Sequence, residues 1–162
     1  KIWIDSGSLD IPVIIPKARQ LTDVLIEKGY KYGEELAFFE EKSAAHGELD
    51  WAGRVEYPFV MWRGGSNGDV KKIVFDTYTV QDEKTGKIHC YLNPVAEYGN
   101  GMKYSLYTAA KYEVINKDDG EIKADGEINF TSKKDIEILI RYMGNEWKKI
   151  VKYEDFKDKL EK

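Results

Sequence analysis

The sequence predicts an α/β portion followed by an all-β sandwich, and three observations predict it. An apolar run, a segment of helical period and a second apolar run follow one another at the start, the order of a strand, a crossover helix and a parallel strand. Beyond residue 68 the apolar period changes from 3.6 to 2, with short runs separated by Gly, Asn and Asp. At the change stands the clearest breaker cluster of the chain, Gly64-Gly65-Ser66-Asn67-Gly68. It divides the chain into residues 1–67 and 68–162. No Lys-Ser/Thr follows the cluster, so it reads as a linker and not as a phosphate loop.

Composition bounds the function classes. With 42% hydrophobic and 13% aromatic residues in 162, the chain has the material for a folded core. No apolar run reaches the roughly 18 residues of a membrane span, and no basic-then-apolar leader is present, so a soluble chain without a membrane span is expected. The net charge of -4 is spread evenly, with 8 Lys+Arg against 11 Asp+Glu in residues 1–67 and 17 against 18 in the remainder. That balance gives no footprint for a phosphate backbone, and nucleic acid is not an expected partner. The single cysteine, Cys90, excludes an internal disulfide, has no metal spacing and reads as a small core residue between Ile88 and Leu92.

Each element has its own warrant. Ile2-Trp3-Ile4 is a continuous apolar run suited to a parallel sheet. Because it starts almost at the first residue, the polypeptide is expected to begin upstream. Pro16 suits the first turn of a helix to Lys28, with Ala18, Leu21, Val24 and Leu25 on the inner face and Gly29 as the stop. Leu36 to Phe39 form the second strand. A further helix follows His46, with Trp51, Val55, Phe59 and Trp62 as a core stripe that Pro58 bends or ends. Beyond the linker, strands are expected at Ile73–Phe75, Tyr78–Val80, Ile88–Leu92, Lys103–Tyr107, Tyr112–Ile115, Glu121–Lys123, Glu127–Phe130, Ile136–Tyr142 and Trp147–Tyr153, then a frayed polar tail.

The chemistry-bearing residues lie where the two parallel strands end. Neighbouring strands run about 4.8 Å apart with their following loops on one edge of the sheet. Asp10 and His46 can therefore meet although 36 positions separate them. Asp5 is a rival acid but belongs to the strand itself, and Glu40 and Glu41 are expected to face solvent. His89, inside a β run, reads as structural. Asp118, Asp119 and Asp125 lack the spacing of a calcium loop and read as turn residues, so no metal is expected. Tyr91, Tyr98, Tyr104, Tyr107 and Tyr112 suit a carbohydrate-binding face or, as favoured here, ordinary sheet packing.

Ile2-Trp3-Ile4-Asp5 with Gly7-Ser8-Leu9-Asp10, the helix from Pro16 to Lys28, the strand Leu36 to Phe39, and Ala45-His46-Gly47-Glu48-Leu49-Asp50-Trp51 together resemble the carboxyl-terminal end of an α/β-hydrolase. The resemblance is to the esterase family that includes feruloyl and enterochelin esterases. It implies that Asp10 is the acid and His46 the general base of a Ser-His-Asp triad hydrolysing an ester, a plant-polysaccharide-linked one being a candidate substrate, without a cofactor. No Gly-X-Ser-X-Gly elbow occurs in the sequence. The serine is therefore expected on an amino-terminal portion of the same esterase, and the chain alone is expected to be inactive.

The run Tyr112–Asp118, Gly120–Ile128 and Ile136–Tyr142 resembles bacterial immunoglobulin-like modules, which implies an accessory sandwich and an extracellular or cell-surface setting. The expected fold is thus the end of an α/β-hydrolase sheet plus an immunoglobulin-like domain. A rival expectation is a non-catalytic carbohydrate-binding or adhesion module carrying a hydrolase remnant.

Overall fold

The computed structural model describes residues 1–63, 67–82 and 84–161. Strand residues make up 45% and helical residues 25%, in three small sheets. This corrects the expected fold class: the chain is predominantly β, and not an α/β-hydrolase segment joined to an immunoglobulin-like domain. The physical reason is that the strand-helix-strand pattern does not propagate. Among the described residues β1 (Ile2–Leu9) and β2 (Leu36–Ala45) form a parallel sheet of two strands only, and the pairings within the other two sheets described below are antiparallel.

The chain divides into two compact units, residues 1–74 with 94–105, and residues 75–93 with 106–161. Residues 64–66 of the expected linker lie outside the described residues.

In the first unit, α1 (Ile14–Glu27) connects the two parallel strands. It ends where Gly29 takes φ +92°: the Tyr30 N–H donates to the Leu25 carbonyl and the Gly29 N–H to that of Ile26, closing the last turn. The buried face is Ile15, Ala18, Arg19 and Thr22, whereas the expected Leu21 and Val24 are exposed. Polar Arg19 and Thr22 take the inner positions because each has a partner there. The Thr22 hydroxyl donates to the Ala18 carbonyl and Arg19 ion-pairs with Glu40.

After β2 come α2 (Glu48–Arg54) and α3 (Glu56–Arg63). A proline ring collides with the carbonyl four residues before it. Pro58 therefore breaks the expected single helix after Arg54 while fitting into the first turn of α3. The unit also holds the first part of β3 (Val70–Gln81), the last part of β4 (Ile88–Tyr98) and β5 (Lys103–Ser105), which pairs with β4. Its core includes Phe38, Leu36, Tyr98, Met102 and Tyr104.

The second unit contains the rest of β3 and β4, then β6 (Lys111–Val114), β7 (Gly120–Ile122), β8 (Glu127–Phe130), β9 (Ile136–Tyr142), β10 (Asn145–Val151) and α4 (Glu154–Leu160). One sheet orders as β3-β4-β8-β7 and the other as β10-β9-β6. The hairpin between β9 and β10 turns at Met143 and Gly144, both with positive φ, which matches the twist of the strands it joins. Alternate residues Ile136, Ile138 and Ile140 are fully buried, the period-2 signature of one covered face. The expected frayed tail is instead α4. Phe156 at its centre is buried against Phe130, which gives a short polar helix the apolar anchor it needs.

Candidate functional site

The two parallel strands bring Asp10 and His46 together through a break in register. Up to Gly7, opposite Glu41, partners differ by 34 in number (41 − 7), but Leu9 lies opposite Ala45, a difference of 36 (45 − 9). Two extra residues on β2 bulge out between these pairs. Ser43 within the bulge adopts φ 64°, and its N–H donates to the Ser8 hydroxyl at 2.7 Å. At the first offset Asp10 would face residue 44, whereas at the second it faces 46. Gly7 makes the close approach possible, since a Cβ there would lie 2.1 Å from the Ala44 carbonyl oxygen.

Asp10 Oδ1 lies 2.7 Å from His46 Nδ1 and also accepts the Ile11 N–H at 2.8 Å. The Asp10 side chain is 3% exposed and that of His46 44%, so the acid is sheltered while the imidazole reaches solvent. The loop after β2 is held on both sides of the histidine. The Ala45 N–H donates to Asp50 Oδ2 at 3.0 Å, the Gly47 N–H to the Ala45 carbonyl, and the Trp51 N–H to the Gly47 carbonyl. Trp51 meets the imidazole edge-on, with centroids 4.8 Å apart and planes at 88°. A carboxylate accepting at Nδ1 fixes the proton there and leaves Nε2 as the acceptor. Nε2 has no hydrogen-bond partner among the described residues.

The rival residues have other work. Asp5 pairs with Arg54 Nε at 3.1 Å and accepts the Trp3 indole N–H at 2.8 Å, while Arg54 Nη1 donates to Glu41 at 2.9 Å. Arg54 is thereby buried and ties α2 to both strands. Glu40 does not face solvent as expected. Its side chain is 1% exposed and bridges Arg19 through two bonds, of 2.8 and 2.6 Å. A charged residue directly before a strand bulge is weak warning of burial, and its partner 21 positions back on a helix gives none. The expected core stripe is also corrected: Trp51, Val55, Phe59 and Trp62 are exposed, Trp62 at 54%. With the helix broken after Arg54, the i, i+4, i+8 spacing no longer describes one continuous face.

In the second unit His89 Nδ1 lies 2.8 Å from Glu127 Oε1, and the Lys123 ammonium bonds the other carboxylate oxygen. Burial alone pushes the Glu127 carboxyl up, but the bonds from Lys123 and His89 outweigh it and hold the group below the usual glutamate range. A carboxyl depressed on folding contributes stability above its unfolded value and loses it as pH falls through the folded one. Acid urea titrations are accordingly expected to show that Glu127→Gln flattens the fall in stability below the ordinary glutamate range. An unchanged acid limb contradicts the assignment.

Cys90 is buried and its thiol is pushed up to about 12, chiefly by burial and further by the Glu127 charge, which keeps it protonated. Tyr91, Tyr98, Tyr104 and Tyr107 are buried and so present no aromatic surface. Asp119 and Asp125 serve turns, accepting from the Asn116 amide and the Glu127 N–H respectively. Among the described residues no cluster of three or more His, Cys, Asp or Glu is placed to hold a metal ion, and no helix is long and apolar enough to cross a membrane.

No protein-family model matches this sequence, and no curated protein matches it at a significant level.

Proposed function

We propose that Asp10 and His46 are the acid and base of a serine-type carboxylic ester hydrolase, the nucleophilic hydroxyl being carried by a further portion of the same polypeptide. The observation that supports this reading is the 2.7 Å bond from a sheltered carboxylate to an imidazole whose other nitrogen is open. His46 Nε2 takes the hydroxyl proton as its oxygen attacks the ester carbonyl, then gives that proton to the departing alcohol. The same nitrogen next takes a proton from water, whose oxygen attacks the acyl-serine. The acid is released and the proton returns to the serine oxygen. Asp10 holds the ring in register and stabilises the imidazolium. The test is p-nitrophenyl acetate hydrolysis by the polypeptide that carries the hydroxyl, with His46→Ala and Asp10→Asn as the variants; near-native rates in both end this reading.

A second reading, polysaccharide binding without catalysis, draws on the exposed rings of Trp51, Phe59 and Trp62. Calorimetric titration with plant polysaccharides separates the two: saturable heat lost in Trp62→Ala, together with no esterase activity, favours it.

A further inference from the structure

Within the second unit, β4 and β8 start as neighbours and then part. The Leu92 N–H donates to the Gly126 carbonyl at 2.9 Å, Tyr91 lies opposite Glu127, and Cys90 opposite Ile128. Hydrogen-bonded pairs of an antiparallel ladder recur at every second residue. After Leu92 with Gly126 and Cys90 with Ile128, the next is Ile88 with Phe130. That pair is not formed. On its far side β8 is already occupied, with Phe130 opposite Gly120 on β7. The backbone edges of Ile88 and Phe130 thus face one another across a gap instead of closing it.

A cavity of about 410 Å³, open to solvent, fills this gap, within the roughly 300–1,000 Å³ of small-ligand sites. Its apolar wall comes from Ile88, Ile128, Phe130 and Leu160. Its polar wall holds two lysines of different status. Lys133 is paired with Glu161 at 2.6 Å, a carboxylate that also accepts the Tyr153 hydroxyl. The Lys87 ammonium at the rim has no ion-pair partner among the described residues. The Ser132 hydroxyl at the same cavity is buried and has no hydrogen-bond partner among the described residues.

An interrupted ladder calls for a ligand with its own alternating donors and acceptors, an apolar wall for an apolar side chain, and a lone ammonium for an anionic end. We propose that this cleft binds the carboxyl-terminal end of an extended peptide, with an apolar last side chain against Ile128 and Leu160 and its carboxylate at Lys87. The site is independent of Asp10 and His46.

The test is a titration of the whole ¹⁵N-labelled chain with acetyl-Ala-Leu as the free acid and as its carboxamide, followed by amide chemical shifts. The free acid is expected to give saturable shifts at Ile88, Phe130 and Ser132. The carboxamide is expected to bind about tenfold more weakly. Lys87→Gln, at an exposed position, should keep the spectrum of the folded chain and abolish the difference between the two peptides. Absence of saturable shifts at these residues, equal binding of acid and carboxamide, or hexanoate binding as tightly as the peptide would each overturn the proposal. The last result would mean that the backbone edges take no part.

Discussion

Alanine at His46 is expected to lower kcat for ester hydrolysis by roughly four to six orders of magnitude, with KM changed little, in the polypeptide that carries the nucleophile. The size follows from the role. Without an acceptor at Nε2 the hydroxyl stays protonated, and the residual rate comes only from substrate binding and positioning. Asp10→Asn is expected to cost about two orders by another route. Oδ1 accepts both the Ile11 N–H and the ring N–H, so an asparagine that keeps these bonds holds the ring in place but takes away the negative charge that stabilises the imidazolium. A far-ultraviolet spectrum matching the parent separates this effect from unfolding, and a loss of less than tenfold in both variants contradicts the assigned roles.

Glu40→Ala is expected to destabilise the chain by about 3–5 kcal/mol, measured by urea unfolding. Arg19 and Glu40 are both buried, at 7% and 1% side-chain exposure, and linked by two charge-assisted bonds. Removing the carboxylate takes these two bonds from a guanidinium in a site nearly closed to water. Domains commonly have only about 5–15 kcal/mol in total, so the variant is left with a small fraction of its stability. The paired replacement Arg19→Met with Glu40→Leu should recover most of the loss, because two apolar side chains of similar size require no charge compensation. If the double variant is as unstable as the single one, packing of α1 on β2 explains the effect and not charge.

The parts of the structure legible in the sequence are those with local causes. Gly29 ends α1 because it is free to take positive φ, and the Met143-Gly144 turn sets β9 against β10. The meeting of Asp10 and His46 was legible from a strand, a helix and a strand with loops on one edge, although nothing in the letters announces the two-residue bulge that sets the final register. Gly7, Ser8 and Ser43 make that bulge through one close backbone approach and one side-chain bond, neither of which has a period.

What could not be read are consequences of long-range partners. Arg19 turns inward because Glu40 waits for it, which rotates the buried face of α1 away from Leu21 and Val24. Pro58 severs α2 from α3 and leaves Trp62 exposed where an unbroken helix implied core. The α/β reading failed for a related reason. One strand-helix-strand unit carries a parallel pair of strands, but extending it into an α/β sheet takes further strands, and the described ones pair antiparallel.

The account rests on Asp10 accepting a hydrogen bond from the Nδ1 proton and so leaving Nε2 open. Nitrogen-15 NMR of the His46 ring in this chain at pH 8 measures that directly. The expected result is a protonated Nδ1 and an unprotonated Nε2, with the assignment averaged in Asp10→Ala, which removes the acceptor. A ring that carries its proton on Nε2 in the parent chain, or that averages between the two tautomers there, contradicts it.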